Sequence, residues 1–166
     1  MRSTVRTTPA RAAASRLAGK GSSLRAPVEA AKAADLVGCS IGCDEETSDA
    51  DMAYIQAPFD DSAVETYVAL PQDRWPQSWH DAVARGEMVR PVVRLCKALY
   101  GHPDAGTMWE AHADEHLRAQ GFESLLDYGW QSCHIHRELA LFLVIYVDDF
   151  KLAGKSSSLH QGGEIY

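Results

Sequence analysis

Beyond residue 34 this chain is short of positive charge: nine Lys and Arg stand against 22 Asp and Glu, a net charge of −13. That balance excludes a body that grips a phosphate backbone by simple electrostatics. The first 34 residues lack the opposite things. They hold seven basic residues, a single acid (Glu29) and no aromatic side chain, so they cannot build a core of their own. A disordered or loosely helical leader is the expectation there. Its composition suits an organellar transit peptide as well as flanking sequence translated by accident. No stretch reaches the ~18 apolar residues of a membrane span, and no signal-peptide apolar core opens the chain. With four cysteines (Cys39, Cys43, Cys96 and Cys133) and no secretory signal, a reduced intracellular compartment is the default. Neither a glycine-rich phosphate loop nor a Ser/His/Asp arrangement is recognisable. The length of 166 residues allows one modest domain.

What is present is concentrated in Leu141 to Gly154, LFLVIYVDDFKLAG. Leu141 to Tyr146 reads as a buried strand, Val147-Asp148-Asp149 as a tight corner, and Phe150 to Ala153 as the returning strand. A buried carboxylate costs several kcal/mol unless a cation or good donors compensate. Two adjacent carboxylates at a hairpin tip therefore point to a bound divalent metal. A solvated Asp-Asp turn is the plainer alternative.

Upstream, Met52 to Gln56 reads as a strand or its exit, Glu65 to Leu70 as a second strand, and Gln72 to Glu87 as a loop with a short helix from about Ser78. Val92 to Leu95 reads as a short strand. Asp104 is placed to cap a helix whose apolar stripe is Ala105, Met108, Trp109, His112, Ala113, His116 and Leu117, with Gly121 at its C-terminal end. Composition divides the chain into a leader (1–34), a body (35–155) that opens on an acidic connector from Asp35 to Asp49, and a disordered tail (156–166). The order strand, strand, helix, hairpin gives an α+β fold, a small antiparallel sheet packed on helices.

Three blocks in this order carry a resemblance. Asp49 precedes Ala53-Tyr54; then come Arg94, Leu95 and Lys97 to Gly101, followed by Trp109 and Gly121-Phe122; then Tyr146 to Asp149, Leu152 and Gly154. Together they resemble the palm of a copia-type LTR-retrotransposon reverse transcriptase, over roughly residues 45–155. The resemblance implies a polymerase palm-like sheet and RNA-directed DNA polymerase activity by two-metal nucleotidyl transfer, with two Mg²⁺ or Mn²⁺ ions as cofactors. It implies catalytic and metal-binding roles for Asp49, Asp148 and Asp149, a contribution from the Ala50 carbonyl, a sugar-gate position for Tyr54 and a primer-end position for Tyr146. An RNA/DNA template-primer and dNTPs would be the partners. Asp51 is the rival to Asp49, since both share one face of an extended strand. The segment GHPDAGTMW, Gly101 to Trp109, departs from the family pattern, which carries a glutamine and two basic residues there. Fingers ahead of Asp49 and a thumb after the hairpin are expected to be missing, so the chain reads as a truncated palm, inactive on its own.

Other constellations point elsewhere. Cys39, Cys43, Cys133, His134 and His136 offer soft ligands, but not at zinc-finger spacing. The remaining histidines read as helix-face residues. A second class of function, a non-catalytic relic or domesticated interaction module, would use exposed Trp75, Trp79 and Trp130.

Overall fold

The computed structural model describes residue 26, residues 28–59 and residues 65–163. They form an α+β fold around a five-stranded antiparallel sheet of order β1-β7-β6-β5-β4. The strands are β1 (Cys43–Asp49), β4 (Glu123–Ser124), β5 (Cys133–His136), β6 (Leu141–Tyr146) and β7 (Asp149–Lys155). A separate two-stranded ribbon pairs β2 (Tyr67–Val68) with β3 (Val93–Arg94).

The central hairpin follows from alternation. Leu141, Leu143 and Ile145 of β6, with Phe150 and Leu152 of β7, bury on one face; Val144 and Ala153 bury on the other. The first face is covered by α4 (Ala105–Ala119), whose Trp109, Ala113 and Leu117 recur at i, i+4 and i+8, and by α5 (Ser156–Gly163) through Leu159. Helix α4 ends in a Schellman turn. Phe122 N–H bonds to Leu117 O (3.0 Å) and Gly121 N–H to Arg118 O (3.1 Å), with Gly121 at φ 93°. The second face is covered by α1 (Val28–Gly38), which presents Ala30 and Ala34 to Cys133, Val144 and Ala153. Alanines one turn apart let the helix approach closely. Lys151, on the same face, reaches both Asp35 of α1 and Glu45 of β1.

Several boundaries differ from the sequence reading. Residues 28–34 of the expected leader belong to α1, because their alanines find an apolar sheet face. The rest of the leader, residues 1–25, lies outside the described residues. The acidic connector contains β1, a strand with almost no apolar residue that is held by pairing with β7 from Cys43↔Lys155 to Asp49↔Asp149. Met52 to Gln56 is no strand: Met52 turns at φ 52° and Ala53–Gln56 form a single helical turn, α2. The expected tail folds over residues 156–163 as α5, where Leu159 and Gly162 close on Leu141 and Leu152. Helix α3 (Gln77–Ala84) starts beside the expected Ser78. Among the described residues no helix is long and apolar enough to cross a membrane.

Candidate functional site

The hairpin tip is built from three directions. Tyr146 and Asp149 close a two-residue loop, Val147-Asp148, and Val147 sits at φ 61°. A β-branched residue in the left-handed region costs roughly 1–2 kcal/mol, so neighbouring contacts must hold it there. Two do. The indole N–H of Trp109 donates to the Val147 carbonyl at 2.5 Å, and the Ala50 N–H donates to the Asp148 carbonyl at 2.7 Å. The tip is thus pinned by α4 on one side and by the end of β1 on the other.

That pinning gathers the acids. Asp49 is the register partner of Asp149, and Asp148 is adjacent in the loop. Because Ala50 bonds to Asp148, the pair Asp49–Asp149 is of the non-hydrogen-bonded kind, with Cα atoms about 4.5 Å apart and side chains on one face. Tyr146, cross-strand neighbour of Asp149, shares that face and is exposed. Like charges directly opposite destabilise a strand pair. Among the described residues no donor or cation engages any of these three carboxylates.

The fit to metal ions is only partial. The backbone brings Asp49, Asp148 and Asp149 together, yet among the described residues no three Asp, Glu, His or Cys side chains close on a common centre. Two opposed carboxylates fall short of a two-ion site. Asp51 does not pair with β7. It and Asp49 border a cleft of about 400 Å³ floored by Trp109 and Phe150 and rimmed by His112 and His116. Asp148 and Asp149 are not among the residues lining that cleft. Tyr54, on α2, is half-buried, packed on the core with its ring 4.5 Å from that of Tyr100. Lys97 donates to the Gln56 carbonyl at 2.7 Å, a bond that ties the LYG segment to α2.

The soft-ligand set does not assemble. Cys133 faces α1 while His134, its chain neighbour, faces α4. Burial pushes the Cys133 thiol up to about 11, far from a metal-ready thiolate. The tryptophans are not free surface either. Trp75 donates to Leu70 O and meets Trp79 edge-on, and Trp130 packs against Phe142.

Sequence reading missed one polar cluster. On the α4 side of the sheet, buried His134 places Nε2 2.9 Å from Asp114 Oδ1, while Arg118 bonds the same carboxylate. Burial raises the Asp114 carboxyl, but the bonds from His134 and Arg118 outweigh it and hold it below the usual range. An ionised carboxylate only accepts, so His134 donates to it from Nε2, and among the described residues the buried Nδ1 meets no partner. Both residues line a cavity of about 190 Å³ that also includes Glu110, Ser124 and Ser132. Desolvation raises Glu110 to about 7. Since the folded pKa lies above the ordinary carboxyl value of 4.5, its contribution to stability is full below that value and is lost as pH rises through about 7. Glu110→Gln is therefore expected to stabilise the protein at pH 8 by on the order of 1–2 kcal/mol, discounted for remaining water contact, and to have no effect near pH 4. Thermal melts of both forms across that range check it; a gain independent of pH would contradict it. The only sequence signal was the i, i+4 spacing of Glu110 and Asp114, which is commonplace on helices.

No protein-family model matches the chain, and no curated protein or solved structure matches it significantly. The class defined by the fold is α+β with a five-stranded antiparallel sheet.

Proposed function

We propose that this chain is the palm part of a copia-type reverse transcriptase, an RNA-directed DNA polymerase by ancestry that does not polymerise as an isolated chain. One observation carries the reading: the register of β1, β7 and β6 sets Asp49 opposite Asp149, beside Asp148 at the hairpin tip. These are the three positions that the motif resemblance singles out, brought together from segments one hundred positions apart. Within this reading Asp49, Asp148 and Asp149 are what remains of a site for Mg²⁺ or Mn²⁺. Tyr54 and Tyr146 stand where nucleotide and primer contacts would fall, and template-primer and dNTPs are the ancestral partners. Two features favour a non-catalytic relic over a working enzyme. The carboxylates do not close around a centre, and α1 lies on the sheet face that bears Asp49, Asp149 and Tyr146. The engaged tryptophans speak against a docking module built on them.

The test is divalent-ion stabilisation. An opposed carboxylate pair with no cation of its own should bind Mn²⁺ weakly, at millimolar concentration. Tenfold excess over Kd would add about 1.4 kcal/mol, a few degrees of Tm. Asp49→Asn and Asp148→Ala are each expected to remove the shift. An undiminished shift in either variant, or none in the parent chain, would sink the palm reading.

A further inference from the structure

The histidines of this fold divide into engaged and available ones. His102, His134 and His136 each have a ring nitrogen in a hydrogen bond. Among the described residues no hydrogen bond engages the rings of His112 and His116. These two stand four positions apart on α4, which sets their Cβ atoms about 5–6 Å apart on one helix face. Both line the same cleft of about 400 Å³, so both side chains border one space. The helix holds them there. Their chain neighbours Ala113 and Leu117 are buried in the core and fix its rotation, and the turn at Gly121 closes its end just beyond. His112 is half-buried with its ring 6.1 Å from that of Trp109, so it has little side-chain freedom left to lose.

Two imidazoles one helical turn apart form a two-point clamp for a metal ion, each nitrogen able to reach it at about 2.0–2.1 Å. We propose that His112 and His116 together bind one divalent ion of the zinc or nickel kind at the rim of this cleft. The surroundings favour a cation. Asp49 and Asp51 border the same cleft. His116 lies in the last turn of α4, where the partial negative charge of the helix falls. Desolvation first, then the charges of Lys97 and His116, hold the His112 imidazole below its ordinary pKa against the pull of Glu115. The ring is thus neutral near pH 7, the form that ligates. Lys97 itself is tied to the Gln56 carbonyl. The donors set the class of ion. Imidazole nitrogen suits zinc and nickel whereas Mg²⁺ seeks oxygen, so this site differs in chemistry from the carboxylates at the hairpin tip. Among the described residues no third Asp, Glu, His or Cys side chain closes on the pair, so the ion keeps open positions for water or a ligand held in the cleft.

The experiment titrates the full chain with Ni²⁺, read by NMR on the ring protons of each histidine, and with Zn²⁺, read by calorimetry. The paramagnetic Ni²⁺ is expected to broaden the His112 and His116 ring signals together and first, ahead of those of His80, His102 and His136. His112→Ala and His116→Ala should each weaken binding of either ion at least about tenfold, a factor equivalent to about 1.4 kcal/mol. The double variant should be little weaker than either single one, the mark of an ion shared by both rings. His116 is exposed, so its variant tests the site even where His112→Ala disturbs the packing on Trp109. His80→Ala, on α3, should leave binding unchanged, and excess Mg²⁺ should not displace the Ni²⁺. Broadening that begins near the exposed Cys39 or Cys96 would place the ion on thiols and overturn the proposal. So would single variants that bind as the parent does.

Discussion

Incubated with an RNA template, a DNA primer, dNTPs and Mg²⁺ or Mn²⁺, the chain is expected to incorporate no more nucleotide than its Asp148→Ala variant. Catalysis by two metals is mostly positioning, and a displacement of about 1 Å at the reacting groups can cost on the order of 100-fold. Here three separate obstacles act at once. The carboxylates of Asp49, Asp148 and Asp149 do not converge as a ligand set. The face on which a primer end would meet Tyr146 is occupied further along by α1, whose Ala30 and Ala34 are fully buried against it. The residues beyond 34 carry net −13 and repel the phosphates that normally supply most non-specific affinity. Incorporation is read on a labelled primer at low and moderate salt, with Asp148→Ala as the baseline. Templated extension well above that baseline would make this a minimal polymerase and end the relic reading.

The largest stability effect is expected at Gly154. This residue pairs with Leu141 in β6 at φ 155°, and a Cβ placed there would lie 2.3 Å from the Ala140 carbonyl oxygen and 3.0 Å from Leu141 Cα. Both obstacles are main chain, so a rotamer change cannot relieve them. Ala140 is itself held at φ 52° in the turn between β5 and β6, which leaves little room to retreat. Gly154→Ala should cost at least about 3 kcal/mol and lower Tm by on the order of 10 °C, a large part of the stability of a domain this size. Circular-dichroism melts of the two forms decide it. A variant within a degree or two of the parent would mean that the β5–β6 turn yields more readily than its geometry suggests.

Local patterns are what the sequence makes legible. The strand from Leu141 to Tyr146 and the stripe of Ala105, Trp109, Ala113 and Leu117 are visible because each buries one face at its own period. Strand β1 is not legible. CDEETSD has no apolar alternation, and it becomes a strand because β7 offers a bonding edge. Helix α1 and helix α5 were hidden for a related reason: Ala, Ser and Gly look like leader or tail until a sheet face is there to receive Ala34 or Leu159. The candidate triad was within reach only through motif resemblance, since no spacing rule sets Asp49 opposite Asp149. The His134–Asp114 contact was out of reach, because it joins a helix to a strand twenty positions away.

The register of β1 also bears on the order in which the molecule assembles. Tyr146 and Asp149 meet across two residues, whereas Asp49 and Asp149 meet across one hundred. Closing the longer loop costs about 3 kcal/mol more in chain entropy, and nothing is gained from it until β7 is already in place. The β6–β7 hairpin and α4 can therefore condense early, as a local nucleus, with β1 arriving last. A strand that docks last in folding and is rich in carboxylates is also the first to leave when protons or denaturant weaken the sheet. The three aspartates would then exist as a group only in the final, slowest state of the chain.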